Sequence, residues 1–249
     1  MNETIIVTGD AGAIGSATAQ LFLQTGRTVL GVDLVERDAI GADGYHTVMA
    51  DVADERAVET ALHVLEDLPP LCHVVAIAGG ALPEEPTSQD QPWTMDMEVF
   101  RDSVERNLVS QFITVKTAYP WLKRSTGAER SITLTSSINA LSAQGMPAYS
   151  AAKAGLIGMM HGLVGPLGAE GIRVNTVAPG TVRTPRTERI WGHVPGHFER
   201  LAGTTALGRL GEPEDIARAY RALALELTHV TGEVLVVDGG QLSRSTRPG

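Results

Sequence analysis

The sequence predicts an α/β protein: one doubly wound domain in which a seven-stranded parallel sheet is flanked by helices. Short segments rich in valine, isoleucine and threonine alternate with longer segments of helical periodicity, the pattern of repeated βαβ units. Several short segments are apolar throughout, as expected of strands covered on both faces. No repeat, low-complexity linker or break in composition divides the 249 residues, so we predict a single domain over residues 1–249.

Each predicted element rests on one such segment. Strands are expected at Thr4–Thr8, Thr28–Val32, Thr47–Ala50, His73–Ala78, Ser131–Thr135, Arg173–Ala178 and Glu233–Val237. Helices are expected at Ile14–Thr25, Glu55–Glu66, Met97–Lys123, Tyr149–Gly168 and Glu214–Glu226, with Pro213 just before the last. The stretch Thr181–Gly211 lacks clear periodicity and is rich in proline, glycine, arginine and histidine. We predict a substrate lid there, at about residues 185–210.

Composition argues against several classes of partner. A net charge of −9 without any basic run disfavours nucleic acid and anionic membranes. The single Cys72 excludes an internal disulfide and a cysteine-rich metal site. His193 and His197 are four residues apart, but Pro195 and Gly196 break the helix that would align them, so no metal is expected. The chain shows no signal segment or membrane-length apolar run, which favours a cytoplasmic protein.

A glycine-rich turn, Thr8–Gly15 (TGDAGAIG), follows the first predicted strand where a helix begins. Glycines there let the backbone approach a pyrophosphate, and the helix N-terminus supplies free N–H groups. Asp33 ends the second strand, where a carboxylate accepts hydrogen bonds from both adenosine ribose hydroxyls and repels a 2′-phosphate. The pattern predicts a dinucleotide site of the Rossmann type that prefers NAD. A plain turn and a solvated aspartate are the alternative interpretation.

A second group of residues carries acid–base chemistry. Tyr149 and Lys153 are four residues apart and therefore share one face of a predicted helix. A free tyrosine has a pKa of about 10, but a fixed cation and an oxidised nicotinamide ring favour its phenolate. Such a tyrosine takes the proton of an alcohol in oxidation and donates one in reduction. The strand Ser131–Thr135 leads into Ser136 and Ser137, which can place a hydroxyl beside the phenol to stabilise charge on the substrate oxygen.

Together these segments resemble the short-chain dehydrogenase/reductase family over nearly the whole chain. The glycine turn is similar to the family's T-G-x-x-x-G-I-G, except that Ala13 replaces the middle glycine and Gly12 stands one position earlier. Ala76–Gly79 (AIAG) occupies the place of the family's N-N-A-G. Leu207–Gly211 (LGRLG) and Asp238–Gly240 (DGG) match its C-terminal third.

The resemblance implies specific roles for individual residues. The catalytic set would be Asn107, Ser137, Tyr149 and Lys153, with Ser136 as the alternative to Ser137. Asn107 would hold a water that links Lys153 to solvent. The cofactor NAD would be bound by Gly9, Ala11, Gly12, Ala13, Ile14, Asp33, Leu34, Asp51, Val52, Ala78, Gly79, Tyr149, Lys153, Pro179, Gly180, Val182 and Thr184.

The expected function is that of an NAD-dependent oxidoreductase that transfers a hydride between NAD(H) and a secondary alcohol or ketone. One alternative is a 3-oxoacyl-(acyl-carrier-protein)-type reductase, which Asp33 and the net acidity disfavour and which Arg124 and Arg130 keep open. A non-catalytic NAD-sensing protein is the other alternative, because fold alone does not define function. The resemblance further implies a homotetramer. The substrate pocket is expected at Ser142–Met146 and Arg186–Leu207.

Overall fold

A single parallel sheet runs through the part of the chain that the structure describes. The structure, a computed structural model, describes residues 3–35, 43–85, 91–125, 129–142 and 145–243. The strands are β1 (Thr4–Thr8), β2 (Thr28–Asp33), β3 (Tyr45–Met49), β4 (Leu71–Ala76), β5 (Arg130–Thr135), β6 (Ile172–Pro179) and β7 (Val234–Val237). Their order, β3-β2-β1-β4-β5-β6-β7, confirms the predicted seven-stranded α/β fold.

Helices cover both faces of this sheet. They are α1 (Ala13–Leu23), α2 (Glu55–Leu62), α3 (Met97–Val104), α4 (Ser110–Arg124), α5 (Pro147–Gly168), α6 (Pro185–Trp191), α7 (His197–Thr204) and α8 (Pro213–Arg221). Successive β1 residues point to opposite faces: Ile6 packs in a core with Leu134 and Leu156, whereas Ile5 packs with Phe22 in a second core. Within the described residues, no helix combines the length and apolar character needed to span a bilayer.

Several element boundaries differ from the sequence prediction. Strand β4 ends at Ala76 instead of Ala78, because the N–H groups of Ile77 and Ala78 donate to Thr8 Oγ1 at 3.0 and 3.2 Å. These bonds turn the chain away from the sheet ladder. Helix α8 begins with Pro213, which the sequence analysis placed just before the helix. Proline is accommodated in the first helical turn because its missing N–H has no partner there.

Two further segments differ from the prediction. One predicted helix is divided in two, and one stretch predicted to be irregular contains helices. The helix expected over residues 97–123 is split into α3 and α4 by a π-helical turn at Glu105–Val109. The stretch expected to be irregular, residues 181–211, contains the short helices α6 and α7. Residues 143 and 144 of the predicted substrate pocket lie outside the described residues.

The strand order explains where a ligand can bind. Strand β1 lies between β2 and β4, so the connections from the two halves of the sheet leave in opposite directions at this point. Such a switch point opens a crevice at the carboxyl ends of parallel strands. The segments that follow β1, β2, β4, β5 and β6 all meet at this edge.

Candidate active site

A tight glycine turn joins β1 to α1 at the carboxyl edge of the sheet. A side chain at Gly15 would overlap the Gly9 carbonyl oxygen, so this close approach requires glycine. Gly12 is the N-cap of α1, and no side chain caps the helix. The helix therefore presents backbone N–H groups and the positive end of its dipole to an anion. The predicted residues Ala11, Ala13 and Ile14 belong to the same turn.

Asp33 ends β2 and is tied directly to this turn. Its Oδ2 accepts a hydrogen bond from the Ala11 N–H at 3.1 Å. Leu34, the next residue, is exposed. Asp51 and Val52 follow β3, which pairs with β2, so the structure brings them to the same edge as Asp33. The predicted adenosine-binding residues therefore lie together.

A buried acid–phenol pair supports the glycine turn and was not predicted. Asp10 is buried within the turn, and the Tyr45 hydroxyl donates a hydrogen bond to its Oδ2. The two residues are 35 positions apart in the sequence. No sequence periodicity links them, because Tyr45 reaches Asp10 only after β3 has paired with β2.

The loop after β4 is held by Asn107. Gly79 has φ +132°, and a Cβ there would lie 2.7 Å from Asn107 Oδ1, so the position requires glycine. Asn107 Oδ1 accepts the Gly80 N–H at 2.7 Å, and its Nδ2 donates to the Gly80 carbonyl at 3.2 Å. Ala78 is held to Thr8, so the loop is anchored at both ends. The fully buried Asn107 thus shapes the cleft, and its implied role in proton exchange stays a prediction.

The segment after β6 forms the other side of the cleft. Strand β6 ends at Pro179, and Gly180 leads into the stretch that carries Val182 and Thr184. Val182 is buried. Thr184 caps α6, because its Oγ1 accepts the Thr187 N–H at 3.1 Å. The predicted nicotinamide-binding residues Pro179 to Thr184 therefore connect the end of β6 to the start of α6 at the carboxyl edge of the sheet.

Ser137, Tyr149 and Lys153 converge where β5 ends. The Ser137 hydroxyl lies close enough to the Tyr149 phenol to lower its pKa, and Lys153 Nζ lies 5.6 Å from the centroid of the Tyr149 ring. Lys153 Nζ also donates to the Thr135 carbonyl at 2.8 Å. Ser136 faces away from the phenol, since its Oγ donates to the Lys153 carbonyl oxygen at 2.7 Å. The structure therefore places Ser137, and not Ser136, beside Tyr149.

Burial disfavours the charged forms of both the phenol and the lysine. It raises the pKa of the Tyr149 phenol, while the Ser137 hydroxyl and the Arg186 charge act in the opposite direction. Burial also lowers the pKa of Lys153 to about 7. The expectation that a fixed cation and an oxidised nicotinamide ring together favour the phenolate stays a prediction. Further positive charge is needed close to the phenol.

A buried carboxylate that the sequence analysis missed anchors the start of α5. The N-cap, Met146, has a left-handed φ of +57° and provides no side-chain cap. Instead, Glu85 Oε1 accepts the Tyr149 N–H at 2.7 Å, and its Oε2 accepts the Ser103 hydroxyl at 3.1 Å. Glu85 is only 4% exposed and lies 64 residues before Tyr149. It fixes the catalytic helix to α3 and satisfies one of the four free N–H groups of a helix N-terminus.

These residues fit a nicotinamide dinucleotide. The uncapped N-terminus of α1 and the Gly15 approach suit a pyrophosphate, and the Asp33 carboxylate at the end of β2 suits a ribose diol. At the other end of the crevice, Ser137 and Tyr149 supply a hydroxyl pair for a substrate oxygen. The fold and the site together define a class of protein: an oxidoreductase that works with a bound dinucleotide.

Comparison with known proteins gives the family within that class. The family model described as enoyl-(acyl carrier protein) reductase matches residues 9–241. An uncharacterised oxidoreductase of Schizosaccharomyces pombe is 34% identical, over 97% of this chain and 91% of its own length. The cis-4-hydroxycyclohexanecarboxylate dehydrogenase of Sinomonas cyclohexanicum is 32% identical, over 94% of each chain.

Solved structures agree with the sequence relatives. An oxidoreductase of the short-chain dehydrogenase/reductase family from Burkholderia thailandensis superposes with a TM-score of 0.86 at 32% identity, covering 98% of this chain and 94% of its own. The chain belongs to the short-chain dehydrogenase/reductase family. Dehydrogenases of this family use a nicotinamide cofactor, NAD or NADP.

Proposed function

We propose that the chain transfers a hydride between NAD(H) and a secondary alcohol or ketone, with Tyr149 as the acid–base residue. The observation that carries this proposal is the convergence of Ser137, Tyr149 and Lys153 at the carboxyl end of β5, beside a glycine turn that fits a pyrophosphate. A hydroxyl and a phenol side by side suit a substrate oxygen that changes between alcohol and carbonyl. The name of the Sinomonas relative, a dehydrogenase of a hydroxylated ring, supports the same substrate class.

The chain's own residues would divide the work as follows. The bound nicotinamide supplies or accepts the hydride. Ser137 donates a hydrogen bond to the substrate oxygen and holds it next to the Tyr149 phenol. Tyr149 removes the hydroxyl proton in oxidation and returns it in reduction. Lys153 is 2% exposed and bonded to the Thr135 carbonyl beside the phenol, and it would hold the nicotinamide ribose of a bound cofactor.

The preference for NAD rests on the Asp33 carboxylate and its surroundings. The nearest arginine along the chain before it, Arg27, forms an ion pair with Glu3 at 3.0 Å at the opposite end of β2. It is therefore not placed to neutralise a 2′-phosphate. Glu36 and Arg37, the next charged residues after Asp33, lie outside the described residues. A carboxylate in this position accepts ribose hydroxyls and repels a phosphate.

Tyr149→Phe tests the proposed chemistry directly. Secondary alcohols with NAD and ketones with NADH would be screened by nicotinamide absorbance, and the variant compared on the best substrate. We expect kcat to fall by about 10²–10⁴-fold, because the phenol oxygen carries the proton. The affinity for NADH should change by less than about twofold, since the ring is kept.

Tyr119→Phe is the matched control, because among the described residues its phenol bonds Glu170 and Lys123, which lie outside the candidate site. It should retain full turnover. If Tyr149→Phe kept most of the rate, the proposed mechanism would be wrong. A chain that binds NADH but turns over no alcohol or ketone would instead point to the NAD-sensing alternative.

We also propose that the chain is a homotetramer whose subunits cover apolar side chains of α3, α4 and the turn before α3. Trp93 is 80% exposed, and Met97 and Phe112 are also exposed. Large apolar side chains exposed in neighbouring elements are typical of interfaces. Multi-angle light scattering at micromolar concentration tests this assembly, and a 26.4 kDa particle would exclude it.

A further inference from the structure

An arginine on the proposed lid reaches across the cleft. Arg186 is the second residue of α6, and its Nη2 donates a hydrogen bond to the Ala81 carbonyl, 105 residues earlier in the chain. Its Nη1 would lie 2.9 Å from a Cβ at Gly80, and the φ of +140° at Gly80 favours glycine there. Gly80 is in turn held by Asn107. The guanidinium is thus fixed against the loop that shapes the catalytic cleft.

The charge of Arg186 has no carboxylate partner among the described residues. No ion pair within 4.0 Å involves it, although its neighbour Arg183 pairs with Glu188 at 2.9 Å. Glu85, the buried carboxylate near the phenol, already accepts two hydrogen bonds. A guanidinium carries five N–H donors in a planar fork, and the Ala81 carbonyl occupies only one side of it. The remaining donors are available to a ligand.

Arg186 also acts electrostatically on the reacting phenol. Burial is the main influence on the pKa of Tyr149, and the Arg186 guanidinium opposes it. Arg186 is exposed and lies against the loop that Asn107 holds, so its guanidinium is accessible to a ligand in the cleft.

We infer that the substrate carries a carboxylate, which Arg186 binds while the alcohol or ketone carbon lies at Tyr149 and Ser137. This inference rests on the proposed function and specifies its substrate class as hydroxy acids and keto acids. Arginine suits this task because its planar donors match the two oxygens of a carboxylate. The cofactor pyrophosphate is the other possible anion, but the glycine turn and the N-terminus of α1 already provide its binding site.

Binding without turnover tests the inference. The probes are 3-oxobutanoate, 4-oxopentanoate and 4-oxocyclohexanecarboxylate, each beside its neutral methyl ester. Each is titrated into the NADH complex of Tyr149→Phe, with quenching of NADH fluorescence as the readout. We expect at least one keto acid to bind about tenfold more tightly than its ester. In the Tyr149→Phe background, Arg186→Gln should remove the difference in affinity between acid and ester and leave ester binding unchanged. Arg186→Lys in the same background should keep part of that difference.

The matched control is Arg218→Gln, an exposed arginine on α8, a helix that carries none of the predicted site residues. It should leave every affinity unchanged. Equal binding of every acid and its ester would overturn the inference, as would equal weakening of both by Arg186→Gln. If Arg186→Gln weakened NADH itself by about tenfold, the anion would be the cofactor pyrophosphate. If the wild type turned over neutral ketones but no keto acid, the inferred substrate class would be wrong and the proposed function would still hold. Absence of all turnover would defeat the proposed function, while acid binding would still report on Arg186.

Discussion

Replacing one carboxylate, Asp33, should change which cofactor the protein uses. Asp33→Asn is the most informative variant, because an amide oxygen can still accept the Ala11 N–H that Oδ2 accepts at 3.1 Å. Its single amide oxygen replaces only one of the two acceptors, so the Val35 N–H that bonds Oδ1 at 3.3 Å loses its partner in exposed backbone. The bond from Asp33 to the glycine turn can therefore be kept while the negative charge is removed.

The size of the effect follows from the position of the carboxylate. Asp33 is half-buried at the end of β2, so an effective dielectric constant of about 40 to 80 applies. A 2′-phosphate brings about two negative charges to within roughly 5 Å of the carboxylate, which costs about 2–3 kcal/mol. A lost hydrogen bond to the ribose adds about 1 kcal/mol. A total of about 3–4 kcal/mol corresponds to a preference for NAD of roughly 150- to 1,000-fold in kcat/KM.

Steady-state kinetics with NAD and NADP measure this preference. In Asp33→Asn, kcat/KM should fall with NAD and rise with NADP, each by about tenfold, and kcat with NAD should change little. Glu59→Gln, on the exposed face of α2, removes one negative charge elsewhere and should leave the ratio unchanged. Equal or better efficiency of the wild type with NADP would refute the role assigned to Asp33.

Three further substitutions test the pKa of the Tyr149 phenol and the effect of two buried basic side chains on the free energy of unfolding. Glu85→Gln keeps an acceptor for the Tyr149 N–H and removes a negative charge that raises the pKa of the phenol. The profile of kcat/KM against pH for alcohol oxidation should therefore shift to lower pH. Lys153→Met should abolish turnover yet stabilise the protein at pH 7 by about 1–3 kcal/mol in urea unfolding. The reason is that burial lowers the pKa of Lys153 from 10.5 to about 7, so the unfolded chain holds this proton more tightly, and the gain should vanish above pH 10.5. His73→Asn should reduce the acid sensitivity of the fold. Burial lowers the pKa of His73 from 6.5 to about 3, so the wild type loses stability as pH falls below 6.5, by about 2 kcal/mol at pH 5, and the variant should lose correspondingly less. Asparagine can keep the bond that His73 Nδ1 makes to Ser131 at 2.9 Å, so a variant as acid-sensitive as the wild type would contradict the assignment.

The sheet and the local motifs could be predicted because short-range patterns encode them. All seven strands were found from apolar, β-branched segments, and β1 has the predicted bounds. The pairing of Tyr149 with Lys153 follows from helical periodicity alone. The glycine turn and Asp33 follow from their positions at the ends of β1 and β2. Each of these inferences needs only a window of sequence and the rule that parallel strands share one carboxyl edge.

The missed residues depend on contacts between distant segments. Glu85 is an acidic residue in a long loop, and nothing near it in sequence shows that it caps α5. Arg186 gains its significance from the Ala81 carbonyl on another loop. Gln111 holds both backbone groups of Thr135, at 3.0 and 3.1 Å, and so fixes the carbonyl that Lys153 contacts. Periodicity does not report such pairings, because polar side chains in loops satisfy no repeating pattern.

The electrostatics of the cleft imply an order of events at the active site. Burial raises the pKa of Tyr149 and lowers the pKa of Lys153 to about 7, so the charged forms of both are disfavoured before a cofactor binds. Arg186 offsets part of the effect on the phenol. A positively charged nicotinamide ring would offset more, since a cation within a few ångströms favours the phenolate. We therefore expect the phenolate to be more populated in the complex with the oxidised cofactor than in the free protein. An alcohol that reaches the site before the cofactor would meet mainly a protonated phenol, so we expect oxidation to favour the order in which the cofactor binds first.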